Sequence, residues 1–211
     1  MTKSEGFIMP CNHKFIDYLN LGRIDFEPTT LVVGTFNPSW DVLNNPATWF
    51  YGRTKNNYFW DVLPRLYENS NLRNDTHLAW KQFCVRNLLA ITDLLQSIDD
   101  ADSNDPSHVA ALSDYSDLAI AKDFKKFTPV DIVNLLIENP KITNVYWTRK
   151  TGNDFWDKYW NTITDYCDQH GIRHRELLTP SGSARYQMQS GNGQTLRNFI
   201  FENWQAAWHP L

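Results

Sequence analysis

Cysteine is scarce in this chain: three residues in 211, Cys11, Cys84 and Cys167, lie far apart with no CxxC pair among them. An odd, scattered set excludes a disulfide framework and a four-thiolate zinc or iron–sulfur site, and reads as three reduced, buried thiols. The six histidines, at 13, 77, 108, 170, 174 and 209, form no HExxH pattern, so neither a metal nor a cofactor is expected. No apolar run approaches the roughly 18 residues of a membrane span, and mean hydropathy is −0.51. Residues 1–9 include Lys3 and Glu5 and lack the apolar stretch of a secretory signal. Repeats and low-complexity tracts are also missing. A soluble, cytoplasmic, single-domain protein spanning 1–211, with no membrane contact, is the expectation.

Positive charge is missing from one long segment. Between Asn87 and Ala121 there are seven Asp (93, 99, 100, 102, 105, 114 and 117) and neither Lys nor Arg. This stretch reads as a solvated loop or helix face. The whole chain carries 20 basic and 24 acidic residues; removing those seven leaves 20 against 17, a net of +3 over the rest. An acidic total therefore does not exclude nucleic acid, because only the contacting face meets phosphates.

Aromatic residues, in contrast, are plentiful: nine Trp, nine Tyr and twelve Phe, more than a core alone usually requires. Thr30–Phe36 is a β-branched, apolar run closed by Asn37-Pro38-Ser39, which predicts a strand ending in a turn. Ala90–Leu95, Ile142–Thr148 and Arg173–Leu178 predict three further strands. Helical spacing covers Asn57–Tyr67, His77–Leu88, Asp117–Lys126 and Gln194–Trp208. Thr128 reads as an N-cap with Pro129 at the first position of a helix running to Glu138, and Asn153 or Asp154 as the cap of a helix stopped by Gly171. Strands alternating with helices imply parallel βαβ units and a three-layer α-β-α sandwich around a parallel sheet of about four strands. In such sheets the ligand crevice lies beyond the C-terminal strand ends. That directs attention to Phe36–Ser39, the Asp93 region, Thr148–Gly152 and Thr179–Tyr186.

Two of these segments have unusual chemistry. In Gly34-Thr-Phe-Asn-Pro-Ser39 the plain role is a strand-to-turn junction, with Gly34 allowing close approach. Its functional reading gives Asn37, neutral and bifunctional, a water to hold by its carbonyl oxygen. In Leu178-Thr-Pro-Ser-Gly-Ser-Ala-Arg-Tyr186 the plain role is a turn with a surface Arg. The functional one is a phosphate-binding loop with hydroxyls at Ser181 and Ser183 and a projecting Arg185. Between them, Trp49-Phe-Tyr-Gly-Arg-Thr-Lys-Asn-Asn-Tyr-Phe-Trp60 interleaves aromatics with Arg53 and Lys55, a pattern suited to base stacking beside phosphate contact. Phe59 and Trp60 fit the core, while at least one of Trp49, Phe50 and Tyr51 is expected to face the crevice.

Taken in order, these segments resemble the uracil-DNA glycosylase superfamily, and most closely its mismatch-specific uracil/thymine branch. Gly34-Thr-Phe-Asn-Pro-Ser39 is similar to that branch's Gly-Ile-Asn-Pro-Gly motif, Asn57-Tyr-Phe-Trp60 to its Asn-x-Phe-Trp helix start, and Pro180-Ser-Gly-Ser-Ala-Arg185 to its Pro-Ser-Ser-Ser-Ala-Arg loop. The resemblance implies an enzyme, a monofunctional DNA glycosylase, acting without cofactor on double-stranded DNA with a mismatched or damaged base; a monomer is the simplest default for its oligomeric state. Uracil is the base it implies first, with thymine and hypoxanthine as alternatives. It implies a water-positioning role for Asn37 and a base pocket of Gly34, Phe36, Phe50, Tyr51 and Asn57. DNA contacts would come from Arg53, Lys55, Ser181 and Ser183, with Arg185 filling the duplex space left by the flipped nucleotide. Ser39 stands where the branch has its second Gly, and Asn37 and Thr179 stand where the classical uracil enzymes have Asp and His, so slower catalysis is expected. Asn57 is a rival for the catalytic Asn. Three other readings remain open on sequence alone: a catalytically weak DNA-damage sensor, a hydrolase of free nucleosides, and a structural α/β domain.

Overall fold

The computed structural model describes residues 10–40, 47–113, 116–188 and 193–208. Residues 1–9, Asp114 and His209, which entered the readings above, lie outside them. In chain order the elements are β1 (Cys11–Asn12), α1 (Ile16–Leu19), β2 (Thr30–Gly34), α2 (Phe59–Glu68), α3 (His77–Arg86), β3 (Leu89–Asp93) and β4 (Leu95–Ile98). There follow α4 (Pro106–Ser113), α5 (Asp117–Asp123), β5 (Phe127–Pro129), α6 (Ile132–Glu138), β6 (Asn144–Trp147), α7 (Asp154–His170), β7 (Arg173–Glu176), a 3₁₀ turn Gly182–Gln187 and α8 (Leu196–Ala207).

The central sheet has four strands in the order β3-β2-β6-β7, all parallel. β2, β3 and β6 are buried at every position, as strands covered on both faces must be, which explains their unbroken apolar runs. β7, Arg-His-Arg-Glu, is a charged edge that discourages pairing with another sheet. Strand alternation sorts β2 between two cores: Leu31 and Val33 pack with Ile132, Leu135, Trp156 and Trp160 on one face, and Val32 with Phe59, Leu63, Phe83 and Trp204 on the other. The expected three-layer α-β-α sandwich with a parallel sheet of four strands is the observed architecture.

Several details depart from the sequence reading. A second, three-stranded antiparallel sheet, β1-β4-β5, flanks the first. Thr128 and Pro129 lie in its strand β5 rather than at a helix start, and the α6 cap is Asp131, whose side chain accepts from Asn134 N–H. The acidic segment is no merely solvated face either: Asp99 accepts from Ser97 and Thr128, and Asp100 from the Lys125 amide, tying the loop down. His170 and His174 stand four residues apart, but Gly171 in the left-handed region ends α7 between them, so they share no helix face.

The aromatic surplus goes mainly into the core. Trp60, Trp147, Trp156, Trp160 and Trp204 are fully buried, and several of their indoles staple loops. Trp60 Nε1 donates to the Phe50 carbonyl at 2.8 Å, Trp204 Nε1 to Leu178 at 2.7 Å, and Trp156 Nε1 to Asp117 at 2.9 Å. Each accepting residue lies beside a loop beyond the C-terminal strand ends, so the bulk that fills the core also holds those loops in place. Pro64 sits inside α2 and donates no hydrogen bond to the carbonyl one turn back, at Trp60; Leu72 N–H takes that acceptor at 2.9 Å.

Candidate active-site cleft

Beyond the C-terminal ends of β2, β3, β6 and β7 opens a cleft of about 520 Å³. That is the place an open parallel sheet offers a ligand, and the volume suits a small-molecule-sized group. Its floor is built from strand-end residues. Asp93, the last residue of β3, pairs in register with Gly34, the last of β2. Its carboxylate is buried and lies over Gly34, where a Cβ would collide with Asp93 Oδ1 and come within 2.7 Å of Tyr51 Oη. Gly34 is thus required for close approach, and it lies beneath the floor rather than along the lining.

Asp93 Oδ2 receives two hydrogen bonds, from His13 Nε2 at 2.7 Å and from Asn37 Nδ2 at 2.8 Å. His13 Nδ1 accepts the Phe15 backbone N–H at 2.9 Å, so a neutral ring carries its hydrogen on Nε2 and donates it to Asp93. The His13 ring is itself buried among Phe15, Phe36 and Phe50. Backbone bonds from Lys14 N to Asn37 O (2.8 Å) and from Ser39 N to Asn12 O (2.9 Å) clamp the Asn37 loop against the N-terminal segment. With its amide given to Asp93, Asn37 has its carbonyl oxygen left to accept.

A second polar group closes the opposite wall. Asp117, at the first turn of α5, accepts from Thr35 Oγ1 at 2.8 Å and pairs with Arg149 at 2.6 Å. Burial pushes its carboxyl up from the ordinary Asp range, against the pull of Arg149 and Thr35, and the nearby Asp93 adds to the rise. Tyr51 Oη bonds Thr148 Oγ1 at 2.8 Å, and burial together with the Asp93 charge holds its phenol well above the usual value. Tyr51 takes a positive φ of 56° and stacks its ring on Phe59 at 3.8 Å.

The aromatic–basic segment and the last loop meet edge to edge. Tyr58 N donates to Pro180 O at 2.7 Å and Gly182 N to Asn56 O at 3.1 Å, around a bridge between Asn57 and Ser181. Gly182 has no room for a Cβ against the Asn56 side chain. Phe36, Asn37, Tyr51, Arg53, Asn57, Ser181 and Ser183 all line the cleft. Phe50 does not: it is fully buried against His13, Phe15 and Trp49, so of the pair Phe50 and Tyr51 only Tyr51 is available to a ligand. Asn57 Oδ1 is engaged locally, accepting the Phe59 N–H at 2.9 Å at the start of α2. Lys55 and Arg185 are exposed beyond the lining, on the loop and the 3₁₀ turn.

Sequence reasoning did not single out His13, Asp93, Asp117, Thr148, Arg149 or Tyr186. Asp93, Thr148 and Arg149 stand at or just after strand ends, a signal that marked their segments but not the residues. Asp93 and Asp117 were absorbed into the acidic run. Tyr186, 93% exposed on the rim, follows Arg185 directly. Nothing local marks His13, which the second sheet brings to Asp93 from 80 residues away.

No family model matches the sequence, and no curated protein matches it. Among solved structures, the fold is similar to one determined by solution NMR, of a protein from Methanosarcina acetivorans described provisionally as a uracil DNA glycosylase. That similarity covers 87% of this chain and 90% of the other, at 14% identity and a TM-score of 0.53. At that identity the likeness speaks for the fold: this chain shares its α/β architecture with a protein described as a DNA glycosylase.

Proposed function

We propose that the protein is a monofunctional DNA glycosylase that hydrolyses the N-glycosidic bond of a damaged or mispaired base. The observation that carries this reading is Asn37, placed at the strand-end floor with its amide fixed on Asp93 Oδ2 and its carbonyl oxygen left to hold a water. The rim supplies what a flipped nucleotide needs: Tyr51 inside, Arg53 beside it, and hydroxyls of Ser181 and Ser183 for the flanking phosphates.

In this mechanism the duplex yields the target nucleotide to the cleft at a cost of a few kcal/mol, smallest for a mismatched base. The C1′–N bond breaks with its electron pair leaving on the base, and the sugar becomes an oxocarbenium ion. The carboxylate of Asp93 favours that positive charge. Asn37 Oδ1 accepts a hydrogen bond from the water and aims its oxygen at C1′. Since an amide is no base, the water keeps both protons until its bond to C1′ has formed. The C1′–OH2+ group then gives one to the departed base or to solvent and becomes C1′–OH, which fits a reaction in which bond cleavage runs ahead of addition. Asn57 suits the water-holding role less well, because its Oδ1 already accepts from Phe59 N–H.

The test is a set of end-labelled duplexes, each with one modified or mismatched base, incubated with excess protein and then treated with alkali. Strand scission at the target position is expected. Tight duplex binding with no scission for any base makes the protein a damage sensor and refutes the enzyme; scission of free nucleosides alone refutes the DNA substrate.

A further inference from the structure

The two carboxylates that line the cleft, Asp93 on its floor and Asp117 on its wall, bear on which base fits there. Resting on the reading of this cleft as a base pocket, we propose that it takes a base carrying an exocyclic amino group, presented to Asp93 Oδ1, in preference to the two-carbonyl edge of uracil or thymine.

Asp93 divides its two oxygens between two tasks. Oδ2 is consumed by His13 and Asn37. Oδ1 lies over Gly34, towards Tyr51 and the centre of the sheet's C-terminal edge. A carboxylate is acceptor-only, so the edge it meets must donate. The opposite wall repeats the pattern. Both oxygens of Asp117 are acceptors, and the Arg149 guanidinium beside them is committed to Asp117 at 2.6 Å. Tyr51 gives no relief, since Thr148 Oγ1 has the Val33 carbonyl within 3.3 Å as its own acceptor and so takes the phenol's hydrogen.

Complementarity follows from charge and from hydrogen-bond direction. Adenine and cytosine each present an amino group on the pairing edge, and guanine presents an amino group beside a ring N–H. Uracil and thymine present a single N–H flanked by two carbonyl oxygens, and at least one of these must face a carboxylate. Placing an acceptor against an acceptor in a dry site leaves both unsatisfied. The leaving group points the same way. The Asp93 carboxylate, whose Oδ2 is bonded to the His13 ring and the Asn37 amide, opposes anionic charge placed directly against it and favours a base departing neutral, as an N-alkylated purine does. This preference differs from the uracil that the sequence resemblance implies first.

The experiment measures binding of free adenine, guanine, cytosine, uracil, thymine and hypoxanthine to the full chain at neutral pH, by ligand-observed NMR with mutual competition. It is repeated on Asp93→Asn, whose amide keeps an oxygen for His13 and Asn37 but offers an N–H to the pocket. The wild type is expected to favour the amino-bearing bases by roughly tenfold or more, and Asp93→Asn to shift the ranking towards uracil by a similar factor. Uracil or thymine bound by the wild type as well as the amino-bearing bases overturns the proposal, as does an unchanged ranking in Asp93→Asn or the binding of no base at all. Failure of the glycosylase reading shows separately, as the absence of alkali-labile sites with every duplex.

Discussion

Replacing Gly34 with Ala tests how the floor of the cleft is built. The Gly34 backbone is not among the positive-φ positions, so a side chain there meets no conformational penalty. On that ground alone Gly34→Ala would stabilise the fold by about 0.4–1 kcal/mol, through lower entropy of the unfolded chain. Packing predicts the opposite sign. The new Cβ would overlap Asp93 Oδ1 and stand 3.2 Å from Asp93 Cγ and 2.7 Å from Tyr51 Oη. Neither neighbour is a free end: Asp93 is held by His13 and Asn37, and Tyr51 by Thr148 and the Phe59 ring. Relief requires either a shift between β2 and β3, at about 1–3 kcal/mol for overpacking, or loss of a hydrogen bond to a charged group, at about 1.5–3 kcal/mol. A net loss of about 2 kcal/mol lowers the melting temperature of a chain this size by roughly 4–8 °C. Thermal and urea unfolding measure the loss. Single-turnover base release should fall at least roughly tenfold in parallel, because a displaced Asp93 no longer fixes Asn37. A melting temperature equal to or above wild type, with unchanged turnover, would refute the close approach of Asp93 over Gly34.

Other perturbations separate the roles of single residues. Asn37→Ala should reduce single-turnover base release by at least roughly a hundredfold, and should cost about 1.5–3 kcal/mol in urea unfolding, because it removes a hydrogen bond to the buried Asp93 carboxylate; if Asn57→Ala abolishes release and Asn37→Ala does not, the water-holding assignment passes to Asn57. Lys55→Ala should weaken duplex binding equally for all sequences and lower the slope of log K against log salt by about one; a loss confined to one base would refute a phosphate contact. Burial pushes the thiol of Cys11 up to about 11 and those of Cys84 and Cys167 up to about 12. Because the thiolate is the reactive form and a raised value suppresses it at pH 8, all three should resist iodoacetamide in the native protein and react in urea. Rapid native labelling of any one would contradict its placement.

The layers of the fold were legible because they rest on local signals. Unbroken apolar runs such as Thr30–Gly34 can be satisfied only in a sheet covered on both faces, and Gly171 stops α7 as its left-handed conformation allows. What was hidden depends on pairing between distant segments. Phe127–Pro129 forms a strand because β4 is there to receive it, and the local cap signal at Thr128 loses to that pairing. The same applies to the site. Asn37 and Ser181 stood out because their loops follow strands, and Tyr51 because its segment interleaves aromatics with Arg53 and Lys55. His13 acquires meaning only when β1 lies on β4 and brings its ring to Asp93. Phe50 and Tyr51 were equivalent by composition, and the positive φ at Tyr51 turns one ring to the cleft while the other joins the core. The acidic run read as solvent-facing because charge is usually exposed, yet Asp93 is buried and hydrogen-bonded, at a position where only the neighbouring Gly34 leaves it room.

The central claim is that this cleft releases a base from DNA by hydrolysis. Mass spectrometry of a duplex carrying one damaged, amino-bearing base, held with excess protein, tests it most directly. A free base is expected together with an uncleaved strand whose mass corresponds to replacement of that base by hydroxyl, and both signals should form at least roughly a hundredfold more slowly in Asn37→Ala. A strand of unchanged mass for every base tried, despite binding, would contradict it.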